Sequence, residues 1–244
     1  MSENLEVNQT AAFGSHGNTI IGTVNTGLSV TDAMQMALQI FREYYPQLKK
    51  EAIDELQKML KEELEKVQPQ NILPPIPRIA VPTLQGASIS DEEIIRRLYA
   101  KLLAGTMNTE KREYAHPAFV RMIDEMNEMD AKVLKKIVDI SDSIPVARVT
   151  FTFEGKYMHF DGLGNEYDIS RSIENLSRLN LINLFDGSVT NFDYKEFERA
   201  PYVKNRFDYA VKNNPERQLT IKISEYTIQE NDIGHQFANV CILD

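Results

Sequence analysis

Four histidines, one cysteine and several paired acids are the residues of this chain that could do chemistry, and their spacing argues against most of it. His16, His116, His159 and His235 stand in four different segments. No HxxxH, HExxH or paired Cys/His spacing occurs, so the sequence offers no metal site. His159 and Asp161 could share a cation, but Asp161-Gly162 reads better as turn chemistry. Cys241 is the only cysteine, which excludes an internal disulfide and a cysteine-based zinc site. Its neighbours Val240, Ile242 and Leu243 make it a small packing residue rather than a reactive thiol. Asp91-Glu92-Glu93 and Asp124-Glu125 fall at helix starts or on polar faces, where acids serve as solvated surface rather than as an acid–base pair. His116 precedes Pro117, and a histidine before a helix-starting proline caps backbone amides or hydrogen-bonds across a hinge. The expectation is no catalytic residue, no metal and no cofactor. His116 and Pro117 remain as hinge residues of structural or functional interest.

The elements that must position these residues are mostly helices. Residues 1–29 form a polar arm in which Thr19–Val24 has strand character between Gly17-Asn18 and Asn25-Thr26-Gly27. The arm's glycines are not followed by the GxxxxGK[ST] spacing of a phosphate cradle. Residues 30–68 read as a helical hairpin or oligomerisation region. One helix opens at Ser29 or Thr31, Pro46 interrupts it, and a second runs from about Gln47 to Val67. In that second helix five lysines face six acids on the outer side. Residues 69–84 contain Pro69, Pro74, Pro75, Pro77 and Pro82, which predicts an extended, polyproline-like linker and a domain boundary.

Residues 85–244 form the remaining unit. Ser90 with Glu93 predicts a capping box for a helix that buries Ile94, Ile95, Leu98, Tyr99, Leu102 and Leu103 and leaves Lys101 mostly off the stripe. Pro117 restarts a helix with Phe119, Val120 and Ile123 inward. Asn127 with Asp130 caps the next, which buries Leu134, Ile137 and Val138. After Pro145 the period falls to two, with Val149, Phe151 and Phe153 alternating. Glu154-Gly155-Lys156 then turns the chain into a hairpin. A short helix over Ile169–Leu179 ends at Asn180, a strand follows over Leu181–Phe185, and Asp193–Arg217 is a long loop or partly helical insertion. A strand through Leu219, Ile221 and Ile223 and a last helix capped at Thr227 or Asn231 complete the chain. This order resembles a winged-helix module. Recognition of nucleic acid would then fall to Arg171 and Arg178 of the short helix, although Asp168 and Glu174 offset them. The expected class is mainly α with a small α+β part: an N-terminal helical hairpin, a central helical core and a winged-helix-like C-terminal module.

Composition sets the remaining bounds. The chain has 244 residues, 42% of them hydrophobic and 26% charged, and a net charge of −9. That is ordinary globular usage, and the acidic balance disfavours wrapping a polyanion, whose affinity rests on phosphate neutralisation. Met1–Gly27 holds no Lys or Arg and no long apolar run, so no signal peptide is expected. With no stretch near ~18 apolar residues, the expected setting is soluble and cytoplasmic, without a membrane span.

The run from Asp91 through Arg96-Arg97-Leu98-Tyr99-Ala100-Lys101 to Ala104, then Thr106-Met107-Asn108 and His116-Pro117-Ala118-Phe119-Val120, resembles the Abi-alpha (abortive infection alpha) family. Met129-Asp130-Ala131-Lys132-Val133-Leu134 is similar to that family's next helix, and Gly234–Cys241 to its closing one. The match is strongest over 80–140. Tyr99 stands where many relatives would carry Trp, which fits packing rather than stacking on a ligand. The resemblance implies a bacterial protein of phage defence and brings no active site with it.

Three functions are therefore weighed. The favoured one is a non-enzymatic component of abortive-infection-type antiviral defence, acting through protein–protein contact with a defence partner and through homo-oligomerisation. The second is a winged-helix nucleic-acid-binding regulator, and the third an effector enzyme formed only on assembly.

Overall fold

The computed structural model describes residues 28–44, 50–140, 143–163 and 167–243. The expected strand at Thr19–Val24 lies outside them, as do the side chains of His16, His159 and Asp161. The described residues are mainly helical, with one small antiparallel sheet.

Helix α1 (Val30–Tyr44) starts as its sequence requires. Ser29 Oγ accepts from the Asp32 amide at 3.1 Å and donates to the Asp32 carboxylate at 2.6 Å. Helix α2 (Lys50–Leu64) buries Leu56, Met59, Leu60 and Leu64. The proline-rich segment is not an extended linker. Pro69–Asn71 is a single 3-10 turn, Ile72 bridges to Asn108, and Pro77–Ile89 is a helix, α3. Pro77 takes the first helical turn, where its missing N–H has no partner to lose. Pro82 lies inside α3, and the carbonyl it cannot reach belongs to exposed Arg78. On the other side Ile79, Ala80, Leu84 and Ala87 are all buried, and that packing holds a helix its prolines would not otherwise favour.

Helix α4 (Glu93–Thr106) is the axis of the helical part, packed by α2, α3, α5 (Ala118–Asp124), α6 (Glu128–Ile140) and α10 (Asp232–Cys241). Leu98, Tyr99, Leu102 and Leu103 are at most 5% exposed. Its expected capping box does not form: the N-cap position is Glu92, without a side-chain hydrogen bond, and Ser90 closes α3 instead. The Ser90 carbonyl takes Arg96 Nη2 at 2.7 Å, while Arg96 Nη1 bonds Glu55 on α2. Tyr99 lies against Gly86 of α3, where even a Cβ would come within 2.5 Å of the ring. Lys101 also departs from expectation, being buried at 9% exposure.

Strands β1 (Ile144–Phe153), β2 (Lys156–Leu163), β3 (Ile182–Asp186) and β4 (Thr220–Glu230) make one sheet of order β2-β1-β4-β3. Glu154 and Gly155 both have positive φ (44° and 77°), the two-residue geometry that matches strand twist in a tight hairpin. Strand β1 uses its period of two to serve two cores. Val146 joins the helical core, while Ala147, Val149 and Phe151 face a second cluster with Phe197 and Val203. That second cluster is supplied by α8 (Lys195–Arg199) and α9 (Pro201–Asn213), so the insertion expected over 193–217 is partly helical. Helix α7 (Tyr167–Arg178) packs on α6 and ends at Asn180, φ 57°, with the Leu181 amide bonded to the Leu176 carbonyl at 3.0 Å. Helix α10 is capped by Asn231, whose side chain accepts from the Gly234 amide at 2.9 Å.

Candidate functional site

Of the residues singled out in the sequence, His116-Pro117 and Arg178 of α7 lie at opposite ends of α5. His116 Nδ1 accepts the Ala118 amide at 3.1 Å, and its ring is 6.1 Å from that of Phe119. Phe119 meets Phe237 of α10 edge-on at 5.2 Å, so this turn seats α5 against the closing helix. The imidazole satisfies one of the unpaired amides at the start of α5.

At the other end Glu125 receives Arg178 Nη1 at 2.6 Å and Arg121 Nη2 at 3.5 Å. Arg178 Nε and Nη2 also donate to Asn175 Oδ1, at 3.1 and 2.7 Å. Asn175 Nδ2 then donates to the Glu125 carbonyl at 2.9 Å and to Asp130 Oδ2 at 2.8 Å. Asp130 Oδ2 accepts the Asn127 amide at 3.0 Å, and Asn127 Oδ1 accepts the Asp130 amide at 3.0 Å. The expected cap of α6 is thus present and is wired through Asn175 to Arg178. The hydrogen bond from Arg178, assisted by its charge and by Arg121, holds the Glu125 carboxyl below the usual carboxylate range against the opposing effect of desolvation. Arg171, two turns before Arg178, is exposed on the same side of α7, with exposed Glu174 between them. The structure therefore places both arginines on one face but commits Arg178 to the α5–α7 junction.

The remaining chemical groups are also held in the fold. Tyr99 donates its hydroxyl to Asp124, and burial with that bond raises its pKa. Burial likewise raises the Cys241 thiol, opposed by the charges of Lys111 and Lys101. His235 Nδ1 lies 3.1 Å from Glu230. Among the described residues no group of three or more His, Cys, Asp or Glu is placed to hold a metal ion. Nor is any described helix long and apolar enough to cross a membrane.

Two concave surfaces were not apparent in the sequence. One, of about 300 Å³, is apolar and lies between α6, the start of β1 and α7, with Ile137, Ile140, Ile144, Ile169 and Phe192 in its wall. The other, of about 380 Å³, lies between α4, α6 and the end of α10 and is rich in lysine. Lysines of α4, of α6 and of the turn after α2 meet there only through tertiary packing, and the one local signal is Lys101, set between Leu98 and Leu102 in an otherwise apolar run.

The model of the family described as abortive infection alpha matches residues 49–241. The chain belongs to the abortive infection alpha family, and the match takes in α2 and the proline-rich segment as well as the helices on which the resemblance rested. No curated protein matches. One solved structure, of an uncharacterized protein from the hydrocarbon-degrading marine bacterium Alcanivorax borkumensis SK2, is similar at 12% identity and a TM-score of 0.34, over 54% of this chain and 94% of its own.

Proposed function

We propose that this chain is a non-enzymatic, cytoplasmic component of abortive-infection-type defence that acts through protein contact and self-assembly. Family membership supports the defence setting. The observation that carries the mode of action is the apolar cleft of about 300 Å³ beside α6, with Ile140 standing 47% exposed at its wall. An exposed apolar side chain next to an apolar hollow suits a two-fold contact, in which each copy puts its own Ile140 into the other's cleft. The groups able to do chemistry support the same reading, since His116, Asp130 and Arg178 are each bonded into a helix end or junction.

Light scattering on the full-length chain across a concentration series tests this. The expected result is a mass above the 27.9 kDa monomer, returning to the monomer in Ile140→Lys with the melting temperature unchanged. A monomeric mass at every concentration would end the self-assembly reading.

The second reading, a winged-helix-like regulator binding nucleic acid through α7, draws support from exposed Arg171. It loses support from Arg178, whose guanidinium is shared between Glu125 and Asn175. Fluorescence anisotropy with a labelled duplex separates the two. Tight binding that weakens with salt and is lost in Arg171→Ala/Arg178→Ala would favour this second reading.

A further inference from the structure

The cavity between α4, α6 and the end of α10 is lined by five cationic side chains, Lys66, Arg97, Lys101, Lys132 and Lys135, and by one acid, Glu63. The whole chain has the opposite balance, 36 acids to 27 Lys and Arg. Lys101 is 91% buried by its 9% exposure, and its Nζ donates to the Ile242 carbonyl at 2.9 Å. A lysine is seldom placed so deep, because burial disfavours its charged form. At the rim, Lys132 pairs with Glu128 at 2.6 Å and Lys135 with Asp139 at 3.3 Å, each one turn away on α6. Those side chains are half exposed, and such pairs are weak enough to exchange for a better anion. Arg97 is held more firmly, 3.1 Å from Glu62 and 3.9 Å from Glu63, and Lys66 lies 2.8 Å from Glu63. Ile94, Leu98, Ala131 and Ile242 supply the apolar part of the lining, interleaved with the charges along α4 and α6.

A largely apolar lining set with several cationic side chains and a volume of about 380 Å³ are the features of a small-molecule pocket. We propose that this cavity binds a small organic oxyanion, a compact phosphate, sulfonate or carboxylate head on an apolar or aromatic body. The head meets the lysines and the body meets the Ile94–Leu98–Ile242 wall. This site is separate from the apolar cleft and does not depend on the self-assembly reading.

Anilinonaphthalene sulfonate and its uncharged counterpart phenylnaphthylamine, titrated calorimetrically into the full-length chain, test the proposal. The expected result is one sulfonate per chain, with the uncharged probe bound at least about tenfold more weakly. Lys132→Gln/Lys135→Gln, at side chains 53% and 59% exposed, should weaken the sulfonate about tenfold without changing the melting curve. Lys136→Gln, which alters the apolar cleft on the other side of α6, should leave it unchanged. Equal binding of the two probes, no binding, an unaffected double variant or a loss in Lys136→Gln would each overturn the proposal.

Discussion

Asn175 Nδ2 donates to Asp130 Oδ2 at 2.8 Å, so a side chain of α7 completes the N-terminal cap of α6. Asp130 is 2% exposed and also accepts the Asn127 amide. Asp130→Ala leaves that amide without its acceptor and Asn175 with only the Glu125 carbonyl, and should cost about 3 kcal/mol of stability. Asn175→Ala keeps the cap and removes the link, for about 1.5 kcal/mol. Urea denaturation of both variants and of the double variant checks this, with a non-additive double value expected from one connected network.

Glu125 gives the acid side of the stability curve a named contributor. Its folded carboxyl titrates below the ordinary 4.5, chiefly because Arg178 bonds the charged form. The stabilisation is therefore complete above 4.5 and is lost as the pH falls through the lower folded value. Arg178→Ala should move the Glu125 titration, followed by carboxyl NMR, up toward 4.5. An unmoved titration would show that the pair does not form in solution.

Cys241 makes the corresponding statement on the alkaline side. Burial keeps the folded thiol protonated while the unfolded one ionises above its ordinary 9.0. Stability from this group is therefore complete below 9.0 and declines above it, by at most about 1.4 kcal/mol per pH unit. Cys241→Ala should flatten that decline in melting curves between neutral pH and pH 10. A thiol reagent at pH 8 should label the chain only after unfolding.

Gly234 cannot carry a side chain. A Cβ there would stand 1.9 Å from the Leu181 carbonyl oxygen, at the point where α10 crosses the turn after α7. Gly234→Ala should cost about 3 kcal/mol, the upper end of ordinary overpacking, because backbone must move. Gly105→Ala clashes with the Val240 side chain alone, Cγ1 at 2.6 Å, the Val240 backbone oxygen standing at an ordinary 3.8 Å, and should cost about 1 to 2 kcal/mol. Thermal melts of the two variants give the comparison.

What could be read in the sequence was what the sequence encodes locally. The caps at Ser29, Asn127 and Asn231, the Glu154-Gly155 hairpin turn and the Asn180 stop each depend on residues within a few positions of one another, and all are present. Helix α3 was hidden because local chemistry points the other way: prolines argue for an extended chain, and only burial against α1, α2 and α4 overrides them. Ser90 misled for a similar reason, since a capping spacing is necessary but the chain's entry angle decides which residue uses it. Arg178 was visible as an exposed charge, whereas its partner Glu125 lies 53 residues away. The lysine-lined cavity was hidden in the same manner, its members reaching from Lys66 to Lys135.

Lys101 and Lys111 hold the carbonyls of Ile242 and Leu243 across 141 and 132 residues of chain. Around those bonds Phe237, Val240 and Cys241 are fully buried in the same cluster as Leu102 and Leu103 of α4. During synthesis, at roughly 5–20 residues per second, α4 must therefore wait on the order of ten seconds for the helix that closes it. Until then the side of α4 that Phe237 and Val240 cover is open to water. Exposed apolar surface of that kind is what proteolysis and aggregation act on, so the order in which the two helices are made bears on the yield of folded chain.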